Sequence, residues 1–122
     1  MAEVERVYYP TGELQSEVFV INGKKEGEYR SYYQHGQLEI ITSYTNGEIN
    51  GEYKRYYENG QVEIIKSYTN GVINGEYTIY DDDGQLYQIS SYNNGKKHGL
   101  YKEYNKLGEL IEYCIYDNGI KN

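Results

Sequence analysis

The chain has 122 residues, with 18 Tyr and 14 Gly but one Phe, one Pro, one Met, one Cys and no Trp. A chain of this length fits one domain, and its 38% hydrophobic share, much of it Tyr, leaves too little Leu, Ile, Val and Phe for a compact aliphatic core. Its net charge of −7 comes with no basic stripe able to displace counterions from nucleic acid, which excludes that partner and disfavours anionic membranes.

Disordered segments are poor in aromatic residues. At 16% aromatic, this chain is read as folded, in a thin and extended shape. An acidic surface favours basic partners and speeds encounter with them. The opening stretch MAEVERVYY has no apolar core of a signal peptide, and no run is long enough to span a bilayer as a helix. The expectation is a soluble, cytoplasmic protein. Cys114, the single cysteine, forms no intrachain disulfide and reads as an ordinary half-buried thiol in a strand.

Along the chain, three glycine columns repeat every 24 residues: Gly12 to Gly108, Gly23 to Gly119, and Gly27 to Gly99. Together they hold all 14 glycines. Tyr follows the same lattice. One column is Tyr8, Tyr32, Tyr56, Tyr80 and Tyr104; a second is Tyr29, Tyr53, Tyr77 and Tyr101; a third is Tyr44, Tyr68, Tyr92 and Tyr116. A shorter column, Tyr9, Tyr33 and Tyr57, is broken by Asp81 and Asn105. The two central copies agree at 16 of 24 positions. This predicts a single repeat domain over 1–122, with approximate repeats at 1–23, 24–47, 48–71, 72–95 and 96–122.

Within a repeat, Glu28–Tyr33 and Leu38–Tyr44 are too short for stable helices and are rich in Tyr, Ile and Thr, which favour strands. Between them, His35-Gly36 (Asn59-Gly60 and Asp83-Gly84 in later copies) reads as a two-residue hairpin turn with both residues at positive φ. On that register Tyr33 faces Leu38, Ser31 faces Ile40, Tyr29 faces Thr42 and Tyr44 covers Gly27. These residues share a ring-rich face, and Arg30, Tyr32, Glu39, Ile41 and Ser43 lie on the other; a bulge would reverse part of this. The second connection, TNGEINGE at 45–52, reads as longer than a minimal hairpin loop. The sum is an all-β fold: an elongated single-layer antiparallel β-meander of about ten strands in five 24-residue hairpin repeats.

The segments NGKKEGEYRSYY (22–33), NGEINGEYKRYY (46–57) and NGKKHGLYKEY (94–104) resemble MORN repeats, in particular the variant form, over nearly the whole chain. Tyr stands throughout where that pattern usually has Trp, and the second Tyr is lost at Asp81 and Asn105, which implies a looser packed face in the C-terminal half. The resemblance implies an elongated sheet of hairpins with a binding or scaffolding role. Bacterial proteins built only of the variant repeat are similar to YwqK-type antitoxins, which implies inhibition of a toxin by binding it.

Residues that break the repeat supply no catalytic set. His35 reads as a surface turn residue and His98 as a loop residue, at opposite ends of their hairpins. Asp81-Asp82-Asp83 reads as a polar turn, because an EF-hand register would start at Ile79. No catalytic residue, metal site or cofactor is assigned, and the chain is read as a non-enzyme. The candidate partner-binding residues are Tyr29, Tyr33, Tyr44, Tyr53, Tyr57, Tyr68, Tyr77, Tyr92, Tyr101 and Tyr116, since Tyr is rigid, amphipathic and enriched at interfaces. The leading expectation is a protein-binding module, with a toxin encoded nearby as partner. The alternatives are a spacer that self-associates through its sheet edges and a membrane-associated repeat.

Overall fold

The computed structural model describes residues 2–122, in which there are strands and turns and no helix. The strands are β1 Ala2–Tyr8, β2 Leu14–Ile21, β3 Lys24–Tyr32, β4 Leu38–Thr45, β5 Glu48–Ile49, β6 Gly51–Tyr56 and β7 Val62–Thr69. They continue as β8 Val72–Tyr80, β9 Leu86–Asn93, β10 Lys96–Lys97, β11 Gly99–Tyr104, β12 Leu110–Asp117 and β13 Ile120–Lys121. All belong to one sheet ordered as a meander, with β5 beside β4 and β10 beside β9. Every pairing is antiparallel.

The thirteen strands exceed the expected ten by the short terminal β13 and by two breaks. The pairs β5/β6 and β10/β11 occupy the repeat positions of the unbroken β3 and β8. The breaks fall at Asn50 and His98, whose N–H groups donate to the carbonyls of Ser43 and Ser91. Among the described residues no side chain is fully buried, as a single layer requires. Buried residues are few: Val18, Ser31, Thr42, Thr78, Ser90, Tyr101 and Cys114. Cys114, expected to be half-buried, is among them.

The two turn types are exchanged relative to the sequence reading. Gly36 N–H donates to the Tyr33 carbonyl and Tyr33 N–H to the Gln37 carbonyl, closing a three-residue loop. His35, Asn59 and Asp83 are not among the residues at positive φ; at this turn only the glycine is. Pro10 sits at the second position of the equivalent first turn, where a φ near −65° is required. The minimal hairpins are the other connections. Asn46 and Gly47 have φ of 56° and 87°, and Thr45 pairs directly with Glu48. This is the turn in which both central residues take positive φ, and it recurs at Asn22, Asn70, Asn94 and Asn118.

Away from the loop the expected register holds: Gly27 pairs with Tyr44, Tyr29 with Thr42 and Ser31 with Ile40. Near the loop it does not. Leu38 pairs with Tyr32 rather than Tyr33, because Glu39 is inserted as a bulge. The bulge absorbs the extra loop residue. It moves Leu38 to the face of Tyr32 and turns Glu39 toward the tyrosine face, where it meets Ser31 and Arg55.

Candidate protein-interaction face

One row crosses the sheet as Val18, Tyr29 and Thr42, then Tyr53, Lys66, Tyr77 and Ser90, then Tyr101 and Cys114. Beside it runs the row of Tyr44, Tyr68, Tyr92 and Tyr116, each opposite a glycine: Gly27, Gly51, Gly75 and Gly99. The glycines are required by their backbone, with φ of 88°, 113°, 108° and 103°, and not by the rings, since no tyrosine atom lies within 4 Å of where their Cβ would stand. Ring centroids pair at 5.9 Å for Tyr29–Tyr44, 6.3 Å for Tyr53–Tyr68, 5.8 Å for Tyr77–Tyr92 and 6.1 Å for Tyr101–Tyr116. Such edge or tilted pairs contribute about 0.5–1.5 kcal/mol each beyond their area.

Three lysines lie over these rings. Lys25 is 5.5 and 5.2 Å from the Tyr29 and Tyr44 centroids, and Lys97 is 4.9 and 5.0 Å from Tyr101 and Tyr116. Between them Lys66 is 4.7, 5.4 and 5.5 Å from Tyr53, Tyr68 and Tyr77. Burial disfavours the Lys66 charge, but the tyrosine oxygens around it outweigh that and hold its pKa above the ordinary lysine value. From Val18 to Tyr116 the two rows carry no carboxylate. The two central rows of this face are therefore aromatic and cationic on a chain whose net charge is negative, and Glu39, Glu63 and Glu103 border them at Arg55 and Tyr101.

All ten candidate tyrosines lie in this region, Tyr101 buried and the rest half-buried. They divide into two kinds. The Tyr33 hydroxyl donates to the Tyr56 carbonyl at 2.5 Å and that of Tyr57 to the Tyr80 carbonyl at 2.7 Å, so these two tie one repeat to the next. Tyr9 does the same to Tyr32. The Tyr101 hydroxyl is taken by Glu103 at 2.8 Å. Burial raises the pKa of Tyr44, Tyr53, Tyr92 and Tyr101 above the ordinary tyrosine value, with the Glu103 hydrogen bond adding to the effect at Tyr101. Next to the ladder, Arg55 lies 3.4 Å from Glu39 and 3.7 Å from Glu63.

Where the ladder tyrosine is lost, the turn takes over its own support. Asp81 Oδ1 accepts from the N–H groups of Asp83 and Gln85, and Asn105 Oδ1 from Leu107 and Glu109. A shallow cavity of about 250 Å³ lies beside Asp81, Tyr104 and Asn105. Asp81, Asp82 and Asp83 bring oxygens within 4.8 Å of one another, and the two turn bonds at Asp81 explain its orientation.

The histidines hold turns together, a role that column position alone did not reveal. His35 Nε2 lies 3.1 Å from the Glu58 carbonyl, as Asn59 reaches Asp82. His98 Nδ1 accepts from Asn118 N–H at 3.1 Å, the place taken by Asn74 and Asn50 one and two repeats earlier.

The family model of the MORN repeat variant matches residues 4–22, 25–46, 49–70, 73–94 and 97–118. The chain belongs to the MORN repeat variant family. Each matched stretch ends on the asparagine of an Asn-Gly turn. MORN repeats are generally non-enzymatic protein-interaction modules. No curated protein matches the chain, so the finer likeness to YwqK-type antitoxins has no relative behind it.

Proposed function

We propose that this MORN repeat chain is a non-enzymatic binding module whose tyrosine–lysine face seats a partner protein. The observation that carries this is the pair of carboxylate-free rows with Lys25, Lys66 and Lys97 set over tyrosine rings. Tyrosine gives contact area at small entropic cost, and an ammonium on a ring remains available to a carbonyl or carboxylate. The favoured partner segment is neutral or acidic, in contrast to the basic partner that net charge alone suggests. A toxin encoded nearby is the first candidate, by likeness to YwqK-type antitoxins, in a cytoplasmic setting.

Co-expression with the product of the adjacent gene, followed by affinity purification, tests the reading. A stable complex weakened by Lys66→Glu supports it. No complex and no protection of the host on co-expression count against the antitoxin reading. A complex indifferent to Lys66→Glu removes the tyrosine face from it.

A further inference from the structure

We infer that the two edges of the sheet are complementary and that a second copy of the chain adds head to tail, its β1 pairing with β12 of the first. This is independent of the partner-binding reading. In the three internal repeats one row of the face opposite the tyrosines is polar: Glu28 pairs with Ser43, Glu52 with Ser67 and Glu76 with Ser91. At both ends the same positions are apolar, with Val4 paired to Phe19 and Leu100 to Ile115. Nothing in a repeat's own hairpin calls for that exchange, since the internal hairpins form with Glu and Ser there.

The repeat specifies how the ends would meet. By column, β12 stands where β2 stands and β1 where β3 stands. The β2–β3 register (Glu17 to Arg30, Val18 to Tyr29) therefore sets Tyr113 opposite Arg6 of the next copy and Cys114 opposite its Glu5. Ile115 then lies beside Val4 of that copy, joining the two apolar end pairs into one row. The step of 16 positions that brings Glu39 to Arg55 brings Ile111 to Val7 of the next copy. By column, Leu110 takes the place of the half-buried Leu14 and the incoming Tyr8 that of Tyr32.

Exposure fits this pairing. Val4, Val7 and Tyr8 are 40%, 45% and 55% exposed, and Leu110, Ile111 and Ile115 are 51%, 55% and 46% exposed. Tyr32, Tyr56, Tyr80 and Tyr104 in the column of Tyr8 are all half-buried, as are Leu14, Leu38, Val62 and Leu86 in that of Leu110. β13 and Asn122 already pair the β12 edge at Asp117, Tyr116 and Ile115, so the open length is Leu110–Cys114 and the incoming β1 continues past Asn122 from Glu3 onward. An uncovered strand edge lined with apolar side chains is a template for another strand. Because the contact joins unlike edges, it leaves one of each free and extends into open chains rather than closing as a dimer. Each copy carries a charge of −7, so salt strengthens the association by screening.

Glu5→Cys tests the register. Glu5 is exposed on β1, and in the inferred contact it lies directly across from Cys114, within disulfide reach. Oxidation of the full 122-residue variant with copper–phenanthroline at high protein concentration is expected to give a ladder of dimer, trimer and higher species on non-reducing gels. Adding Cys114→Ser should abolish everything above dimer, and moving the thiol to the opposite face with Arg6→Cys should give no ladder. Circular dichroism of the reduced variants checks folding. Light scattering of the unmodified chain should show a mass that rises with concentration and salt, and Ile115→Lys should return it to monomer. A constant monomer mass with no cross-linking overturns the inference. So do cross-links that stop at dimer, which would mean that like edges meet.

Discussion

The Tyr33 hydroxyl reaches past its own hairpin to the carbonyl of Tyr56, 23 residues on, and Tyr57 repeats the contact with Tyr80. Each bond crosses a repeat boundary. The ladder therefore couples neighbouring units, which in a repeat protein is where cooperativity resides. Tyr33→Phe keeps the ring and removes the bond, at an expected cost of about 1 kcal/mol. Urea melts should show a lower midpoint, and an unchanged midpoint would assign the coupling to ring packing alone.

Asn59 and Asn70 each precede a glycine, but φ is positive at Asn70 only, at 49°. Proline can take the place of Glu58, since Pro10 already stands in the same column two repeats earlier. Glu58→Pro should stabilise the fold by about 0.4–1 kcal/mol through the unfolded chain. Asn70→Pro should have the opposite sign, because proline cannot reach positive φ. Gly60→Val should also be destabilising, since Gly60 has φ of 92° and a β-branched residue is an outlier there. Thermal melts of the three variants read all three signs.

The same two asparagines mark how far the sequence could be read. The column spacing identified the hairpins, the pairing of Tyr44 with Gly27, and the ring-rich face. It could not assign the turn types, because Asn-Gly occurs in both connections and the dipeptide does not report the residue count between paired strands. The bulge at Glu39 was hidden for a related reason. It compensates the three-residue loop, so the register beyond it is the one a two-residue loop would give, and only Leu38 and Glu39 change face. The site was legible as a set of tyrosines but not as two kinds, since a hydroxyl's acceptor a repeat away leaves no mark in its own column. The lysines over the rings were missed because Lys66 lies in a different column from Lys25 and Lys97.

Raised tyrosine pKa values give the fold an alkaline limit. Tyr44, Tyr53, Tyr92 and Tyr101 hold their protons more tightly when folded than an unfolded tyrosine does, chiefly through burial. Their contribution is fully present below the unfolded value of about 10 and is lost as pH rises through the folded values. Stability should be flat up to that point and fall beyond it. Tyrosinate absorbance should show a group of rings that ionise late, together with unfolding. A single unshifted titration of all 18 tyrosines would contradict this.

Lys66 occupies a row position that holds Val18, Thr42, Ser90 and Cys114 in the other repeats, and its ammonium sits among three rings. Lys66→Met keeps an apolar stem and removes the charge. The expected loss is about 1 kcal/mol of stability, within the range of partly desolvated cation–π contacts. Lys66→Arg should retain most of it.

The proposed seat of the partner is the tyrosine–lysine face and not the opposite one. Titration calorimetry with the adjacent gene's product tests it most directly, comparing Lys66→Glu with Lys54→Glu, the latter on the opposite face beside Ile65. Affinity should fall by about tenfold or more for Lys66→Glu, as for a central contact, and stay nearly unchanged for Lys54→Glu. Loss with Lys54→Glu and retention with Lys66→Glu would contradict it.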